Sequence, residues 1–241
     1  MRNVSGLLFS GGLAFLLLVM VAQLPFGQPL MLVGQQILQV SPNEVGTANV
    51  VAAVLLAYRG IDTLGELAIL FTAASGVGLI LGHLYSANSG SNKKVDKSGF
   101  ITLKGTELMV PLLLVVGFYI IFYGHVTPGG GFQGGVILAI AFFLPTLVRS
   151  DAHLDHQLIN VIEGLAGAVF ILIGLWAMLY HHAFLQPFFN SVFVKGHLGD
   201  LFSAGTLPLL YLALGLKVGA ELAGLLSMIA DFPELTGEQN K

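Results

Sequence analysis

The feature that most constrains this chain is a series of apolar stretches long enough to cross a lipid bilayer. A transmembrane helix needs about 20 mostly apolar residues in succession. We place seven stretches that meet or approach this length at residues 7–26, 45–58, 64–84, 107–123, 136–148, 161–180 and 198–230. The second is short, and the seventh contains Pro208, where we expect a kink. The sequence therefore predicts an all-α membrane protein of about seven transmembrane helices, with no room for a soluble domain.

Composition supports this class and excludes several functions. Of the 241 residues, 55% are hydrophobic and only 10% are charged, whereas soluble chains are about 25% charged. The net charge of −3 provides no basic surface for nucleic acid. Because the sequence has no cysteine, disulfides, thiolate catalysis and iron–sulfur clusters are excluded. No serine or histidine arrangement resembles a nucleophile with its base, so we expect no catalytic site and no cofactor bound by this chain.

A polar segment at residues 85–106 divides the chain into two membrane modules. Its serine, asparagine, glycine and lysine content is typical of a solvated linker, and it separates modules at 1–84 and 107–241. Lysine and arginine are enriched in cytoplasmic loops. One set of loops contains Lys93, Lys94, Lys97, Lys104, Arg149 and Lys241, and the other contains Arg2, Arg59 and Lys195. The excess predicts a multi-pass protein of the cytoplasmic membrane with the linker and C-terminus inside and the N-terminus outside. The N-terminal side depends on counting 45–58 as a crossing.

Ionisable residues within the predicted spans are the first candidates for function, because charges inside a membrane are costly. They are Glu66, Glu163, Lys217 and Glu221. Glu221 follows Lys217 by one helical turn and could be its ionic partner. Glu163 lies only three residues into its predicted span, so it could also reach the interface. These groups either line a route for ions or hold helices together.

The segment Arg59-Gly-Ile-Asp-Thr-Leu-Gly-Glu66 permits two compatible interpretations. Thr63 and Glu66 have the spacing of a capping box at a helix start, and Arg59 with Asp62 could form a local ion pair. Alternatively, Glu66 lies one turn inside the membrane as a protonatable relay.

The segment Gly124-His-Val-Thr-Pro-Gly-Gly-Gly-Phe-Gln-Gly-Gly135 has six glycines and a proline in twelve residues. Its glycines fit a dinucleotide-binding pattern, but no strand–turn–helix unit surrounds them. Broken backbone at membrane depth is tolerated where protein buries it or water lines it. His125 could therefore belong to a hydrated ion or proton path, or the glycines could simply permit close helix packing. The residues singled out in this motif are Pro128, Gly129, Gly130, Gly131, Phe132, Gly134 and Gly135.

Two further polar clusters carry weaker signals. Asp151-Ala-His-Leu-Asp-His156 contains ligand types for a metal but no recognised spacing, so we predict no metal site. His181 and His182 lie at a span end, as interface residues do.

These motifs resemble a known family. The stretch from His125 through Pro128-Gly-Gly-Gly-Phe-Gln-Gly-Gly-Val-Ile-Leu-Ala139, with Gly215-Leu-Lys-Val-Gly219, is similar to the B subunit of Mrp-type Na⁺/H⁺ antiporters (the MnhB domain) over about 104–230. Tyr58-Arg-Gly-Ile-Asp-Thr-Leu-Gly-Glu66 resembles the C-terminal region of the antiporter A subunit, with Ala57 where an acid is common. In membrane-bound hydrogenase-type complexes the two regions are separate small subunits, so this chain resembles their fusion.

The resemblance implies a non-catalytic subunit of a multisubunit cation/proton antiporter module, alone or joined to hydrogenase-type redox subunits. Its implied partners are the lipid bilayer, an A- or D-like core and small C-, E-, F- and G-like subunits; its cargo would be Na⁺ or H⁺. We hypothesise a route lined by Glu66, His125, Glu163, Lys217 and Glu221, with Asp62 at its edge. The alternatives are a purely structural assembly subunit and a membrane anchor beside a quinone site.

Overall fold

The computed structural model describes residues 2–24, 32–87, 99–149, 154–181, 183–187, 196–201 and 203–230. Eight α-helices occur in these ranges. They are α1 (Arg2–Ala22), α2 (Leu32–Glu44), α3 (Val50–Ala52), α4 (Gly60–Ala87), α5 (Phe100–Phe122), α6 (Gly131–Val148), α7 (His156–His181) and α8 (Leu207–Ala230). A π-helical segment, Ala53–Tyr58, continues α3. The all-α class is confirmed.

Five of these helices are long and apolar enough to cross a membrane. In the described part of the chain they are Gly60–Leu81, Phe100–Phe122, Gly131–Val148, His156–Tyr180 and Leu207–Ala230, and a shorter apolar helix covers Gly6–Ala22 within α1. The second predicted span is wrong as a crossing, because α3 and its π-helical continuation together cover only Val50–Tyr58. At about 1.5 Å per residue this element is far shorter than the roughly 30 Å bilayer core. The sequence also failed to predict α2.

The chain forms two compact units, residues 1–39 and 40–241. In the first unit, the described side chains of α1 are exposed from Gly6 to Ala22. An apolar surface of this kind suits contact with lipid or with another membrane protein.

The second unit is built around α8, whose buried residues recur along most of its length. Helices α4, α6 and α7 each pack against α8, and α5 packs against α6. Pro208 lies in the first turn of α8, where a missing backbone N–H leaves no hydrogen bond unmade. The predicted kink at Pro208 is therefore wrong.

Five helix termini lie at one end of this unit, which we call the loop end. Here α4, α6 and α8 begin and α5 and α7 end. The connection between α5 and α6 is hydrogen-bonded to Asn49, and the His125 ring contacts the carbonyl of Asp200. At the opposite end, α5 and α7 begin and α6 and α8 end. Of the predicted linker 85–106, residues 85–87 lie at the end of α4 and residues 100–106 in the first turns of α5, whereas residues 88–98 are outside the described structure.

The π-helical segment changes how α4 begins. Thr63 was predicted to be the N-cap of this helix, but α4 begins at Gly60. Thr63 Oγ1 instead donates a 2.7 Å hydrogen bond to the carbonyl of Leu55, within the π-helix. The capping-box interpretation of Thr63 and Glu66 is therefore wrong: the widened turn offers a carbonyl that recruits the threonine, which is 1% exposed.

A candidate ion-path site between helices 4, 7 and 8

A buried lysine lies between two carboxylates near the middle of the bundle. Lys217 Nζ is 2.9 Å from Glu221 Oε2, one turn further along α8, and 3.3 Å from Glu163 Oε1 on α7. The side chains are 11%, 2% and 21% exposed for Lys217, Glu221 and Glu163. The spacing along α8 correctly indicated the Lys217–Glu221 pair. Sequence alone did not show that Glu163 also binds this ammonium group; we call the three residues the α7–α8 cluster.

The cluster lies deep within its helices. Lys217 is the eleventh residue of α8, which begins at Leu207, so it lies about 15 Å along the axis from that end. Glu163 is the eighth residue of α7, about 10 Å from His156. Because the helix begins five residues before the predicted boundary, Glu163 is deeper than the sequence indicated. A charged side chain at this depth needs an opposite charge or water nearby, and the two glutamates meet that need.

A cavity of about 580 Å³ leads to the cluster. It lies between α4, α7 and α8, and its lining includes His156 and Met228 near the opposite end and Glu163 and Glu221 at the cluster. Ser75 on α4 and Asn160 on α7 add polar groups to the wall. The volume is sufficient for several water molecules, since one occupies about 30 Å³ in the liquid. The geometry therefore provides a water-accessible space from one end of the bundle to a buried charge cluster.

Phe71 on α4 lies on the side of the cluster that faces the cavity. Its ring centroid is 5.4 Å from Lys217 Nζ, within the distance at which a cation is attracted to an aromatic face. The aliphatic stem of Lys217 also passes close to Gly167, where an added Cβ would be 3.5 Å from Lys217 Cδ. The ammonium group is thus positioned from α4, α7 and α8 together.

The structure does not place Glu66 at this cluster. Glu66 is exposed on α4 and makes no hydrogen bond or ion pair with any residue that the structure describes. Arg59 NH2 and Asp62 Oδ2 form the expected exposed ion pair at 2.5 Å, at the start of the same helix. Glu66 lies about 9 Å along the helix axis from the start of α4. An ionisable side chain exposed at this depth needs contact with another chain or with water.

His125 lies at the loop end and is fully buried. Its Nε2 is 3.2 Å from the carbonyl of Asp200, and its own carbonyl accepts hydrogen bonds from Thr47 Oγ1 and from the Asn49 amide. Burial lowers the pKa of the His125 imidazole, while the contact with the Asp200 carbonyl opposes this shift. The ring is therefore neutral near pH 7. It does not line the cavity that reaches the α7–α8 cluster.

The glycine motif acts through close backbone packing. Gly131, Gly134 and Gly135 are buried in the first turns of α6. A Cβ on Gly135 would be 2.8 Å from the carbonyl of Gly215 on α8. Gly129 and Gly130 have φ values of 156° and 153°, a region that essentially only glycine occupies. These contacts support the interpretation that the glycines permit close helix packing. Pro128 lies in the connection before α6, and Phe132 lies in the first turn of α6.

Sequence reasoning missed the residue that fixes this connection to the segment before α4. Asn49 Nδ2 donates to the carbonyls of Gly124 at 2.7 Å and Thr127 at 3.0 Å, and its Oδ1 accepts from the Ala52 amide at 3.3 Å. Asn49 lies just before a helical segment, a position typical of an N-cap. This position was the feature of the sequence that could have identified it. Other residues singled out in the sequence, namely Asp151, His153, His182 and Lys195, lie outside the described residues.

The fold and the site define a multi-pass, all-α membrane protein with an internal charge cluster. Residues 101–224 match the family described as "Domain related to MnhB subunit of Na+/H+ antiporter". The match covers just over half of the chain, and the chain belongs to this family. It is therefore an MnhB-type membrane subunit, the type found in Mrp-type antiporters or related respiratory complexes.

Two individual proteins are similar to this chain. An uncharacterized protein of Methanocaldococcus jannaschii is 31% identical over 214 residues, covering 78% of this chain and 80% of that protein. Antiporter subunit mnhB2 of Staphylococcus aureus is 32% identical over 113 residues, covering 41% of this chain and 80% of that subunit.

Two solved structures share the fold. A chain of the membrane-bound sulfane sulfur reductase, an archaeal respiratory membrane complex, has a TM-score of 0.75 and 34% identity and covers 94% of this chain and 97% of its own. A chain of the Mrp complex from Dietzia has a TM-score of 0.69 and 21% identity, with 93% of this chain and 26% of the Dietzia chain covered. The reductase chain thus matches nearly the whole length of the present chain.

Proposed function

We propose that this chain is a non-catalytic subunit of a multisubunit Na⁺/H⁺ antiporter module, and that it contributes part of the ion route. The family and the S. aureus relative support the antiporter context. The match to a sulfane sulfur reductase chain supports a module joined to redox subunits, as an alternative to the predicted hydrogenase-type partners. Its partners would then be an A- or D-like core and the other small antiporter subunits.

The observation that carries this proposal is the water-accessible cavity that ends at a buried lysine between two carboxylates. A charged cluster at membrane depth has a high cost unless it has a function or a structural need. The cavity gives it access from one end of the bundle, so an ion or proton can reach it without crossing the apolar part of the membrane. Together they form one half of a path, and a neighbouring subunit would supply the other half.

We propose that this half faces the cytoplasm. The opposite end, from which the cavity extends, is the end of the Arg149 connection and of the predicted linker with its lysines. The excess of lysine and arginine places these connections inside. The predicted N-terminal side depended on residues 45–58 crossing the membrane, which they are too short to do, so we confine the proposal to 60–241.

Glu66 and His125 would belong to the route only through surfaces that other subunits cover. Glu66 is exposed on α4, and His125 lies at the loop end away from the cavity. We propose that Glu66 and Asp62 face a partner subunit, and that His125 positions the connection between α5 and α6.

The test is exchange activity of the assembled complex with Lys217→Met. Inverted membrane vesicles report Na⁺-dependent release of a preformed proton gradient through a pH-sensitive dye. We expect Lys217→Met to lower the exchange rate per assembled complex at least tenfold, with all subunits still present in the complex that assembles. Lys104→Met is the matched control, because Lys104 forms an exposed ion pair with Glu107 at 2.7 Å, outside the cavity. Unchanged exchange in a fully assembled Lys217→Met complex would rule out the route.

A structural role is the second candidate, and one observation favours it. Lys217 joins α7 to α8 through Glu163, so the cluster could serve only to hold the two helices together. In that case Lys217→Met would lower the yield of assembled complex and the exchange activity in the same proportion. Activity per assembled complex therefore separates the two functions.

A further inference from the structure

The α7–α8 cluster carries one more negative charge than positive charge. Two carboxylates, Glu163 and Glu221, face a single ammonium group, Lys217. The cavity wall adds no fixed charge that would balance the sum: α4 contributes Phe71, Ala74, Ser75, Gly78 and Leu81, and α7 adds His156, which is exposed at its mouth. An uncompensated negative charge at this depth is unfavourable.

One oxygen of the cluster is left without a partner. Glu221 Oε2 accepts from Lys217, whereas Glu221 Oε1 is buried and has no hydrogen-bond partner among the described residues. The side chain is 2% exposed, and Glu221 lines the cavity. A buried carboxylate oxygen without a donor or cation costs free energy, so its position against a water-accessible space indicates that a ligand approaches from that side.

The polar groups that line this cavity suit a small, hard cation. Hard cations prefer oxygen ligands such as carboxylates, amide carbonyls and water. Asn160 and Ser75 lie in the wall of the same cavity, and Glu163 supplies a second carboxylate whose Oε1 is already bound to Lys217. Lys217 Nζ binds the other oxygen of Glu221, Oε2. Because the two carboxylates exceed the single ammonium group by one negative charge, one monovalent cation is sufficient to balance the cluster.

We propose that the α7–α8 cluster binds one monovalent cation at Glu221 Oε1, and that Na⁺ and H⁺ compete for this position. This inference rests on the proposed function and assigns the exchange site to one oxygen atom. Protonation of Glu221 or coordination of Na⁺ each brings the cluster to neutrality, and the two states exclude each other because both use the same oxygen. Lys217 remains bound to Glu163 in both states.

The test uses dicyclohexylcarbodiimide, a hydrophobic reagent that modifies protonated carboxyl groups in membranes. The intact complex is treated in native membranes at several pH values, with Na⁺ or with K⁺ at equal ionic strength, and modification of the Glu221 peptide is followed by mass spectrometry. We expect Na⁺ to slow modification and K⁺ to have a much weaker effect. Simple competition predicts a slowing of roughly 11-fold at ten times the dissociation constant, and raising the proton concentration should reverse it.

Two variants of Glu163, one that removes its charge and one that keeps it, make the test specific. Glu163→Gln leaves Glu221 and Lys217 in place but makes the cluster neutral, so modification of Glu221 and its protection by Na⁺ should both be lost. Glu163→Asp keeps the charge and should retain both. Protection by Na⁺ that persists in Glu163→Gln, or a modification rate that does not depend on Na⁺ in the unmodified chain, would overturn the site.

The outcomes also separate this inference from the proposed function. Loss of exchange in Lys217→Met without any Na⁺ protection at Glu221 would retain the route and reject the site. Na⁺ protection at Glu221 with unchanged exchange in Lys217→Met would retain the site and reject the route.

Discussion

The side-chain amide of Asn49 donates a 2.7 Å hydrogen bond to the carbonyl of Gly124, a residue 75 positions away in the chain. The same nitrogen donates to the carbonyl of Thr127 at 3.0 Å. One side chain therefore fixes the broken connection between α5 and α6 against the segment that precedes α4. The segment before α4 and the connection between α5 and α6 meet at this point, and the glycine motif depends on a residue far from it in the sequence.

Replacing Asn49 with Asp should destabilise this connection. The change removes both donors, leaves two carbonyls without partners and places a negative charge beside them. We expect a loss of about 1–3 kcal/mol, measured as the thermal stability of the complex in mild detergent. Gln157→Ala, an exposed position at the start of α7, should change the stability by less than about 0.5 kcal/mol. Equal stability of the two variants would contradict the role of Asn49.

Breaking the α7–α8 cluster at Lys217 should have a larger effect than removing an exposed pair. Lys217→Met leaves Glu163 and Glu221 facing each other, and removal of one partner of a buried ion pair costs about 3–5 kcal/mol. Lys104→Met, at the exposed pair, should cost no more than about 1 kcal/mol. The comparison is made by thermal unfolding at pH 7.5. Because protonation of the unpaired carboxylates relieves their repulsion, the loss of stability caused by Lys217→Met should become smaller as the pH falls.

Gly135 and Gly164 provide a matched pair for the packing of α6 against α8. A Cβ at Gly135 would meet the Gly215 carbonyl at 2.8 Å and Val218 Cβ at 2.9 Å, whereas a Cβ at Gly164 meets nothing within 4 Å. Gly135→Ala should therefore destabilise the helix pair by about 1–3 kcal/mol through overpacking. Gly164→Ala should be neutral or slightly stabilising, since alanine favours helix over glycine by about 1 kcal/mol. A tolerated Gly135→Ala would mean that α6 and α8 lie further apart than described.

The buried His125 should make the loop end sensitive to acid. Its pKa is lowered in the folded state by burial, while the unfolded chain titrates near the ordinary value of about 6.5. As the pH falls below that value the unfolded state gains a proton first, so stability decreases on acidification. We expect the difference in thermal stability between pH 7.5 and pH 5.5 to be smaller in His125→Gln than in the unmodified chain. Gln157→Ala, at an exposed position without a titratable side chain, should leave the difference unchanged.

Much of the fold could be predicted from local sequence because the membrane restricts the choices. An apolar stretch of about 20 residues in lipid must satisfy its backbone internally and so becomes a helix. This rule located α4 to α8. It failed at residues 45–58 because an apolar stretch can be buried by protein instead of lipid, as Ala52, Ala53 and Leu56 are. Hydropathy does not distinguish these two environments.

The sequence by itself determined the helical membrane class, the glycine-rich break between two helices and the Lys217–Glu221 pair, since helix periodicity places residues four apart on one face. Only the tertiary structure decided that Glu163 joins this pair, that Glu66 does not, and that Asn49 holds the glycine connection. These contacts depend on the angle and depth at which one helix packs against another. Between α6 and α8, for example, it follows from close approach at Gly135 and Gly215, whose neighbours across the helix interface are distant in sequence.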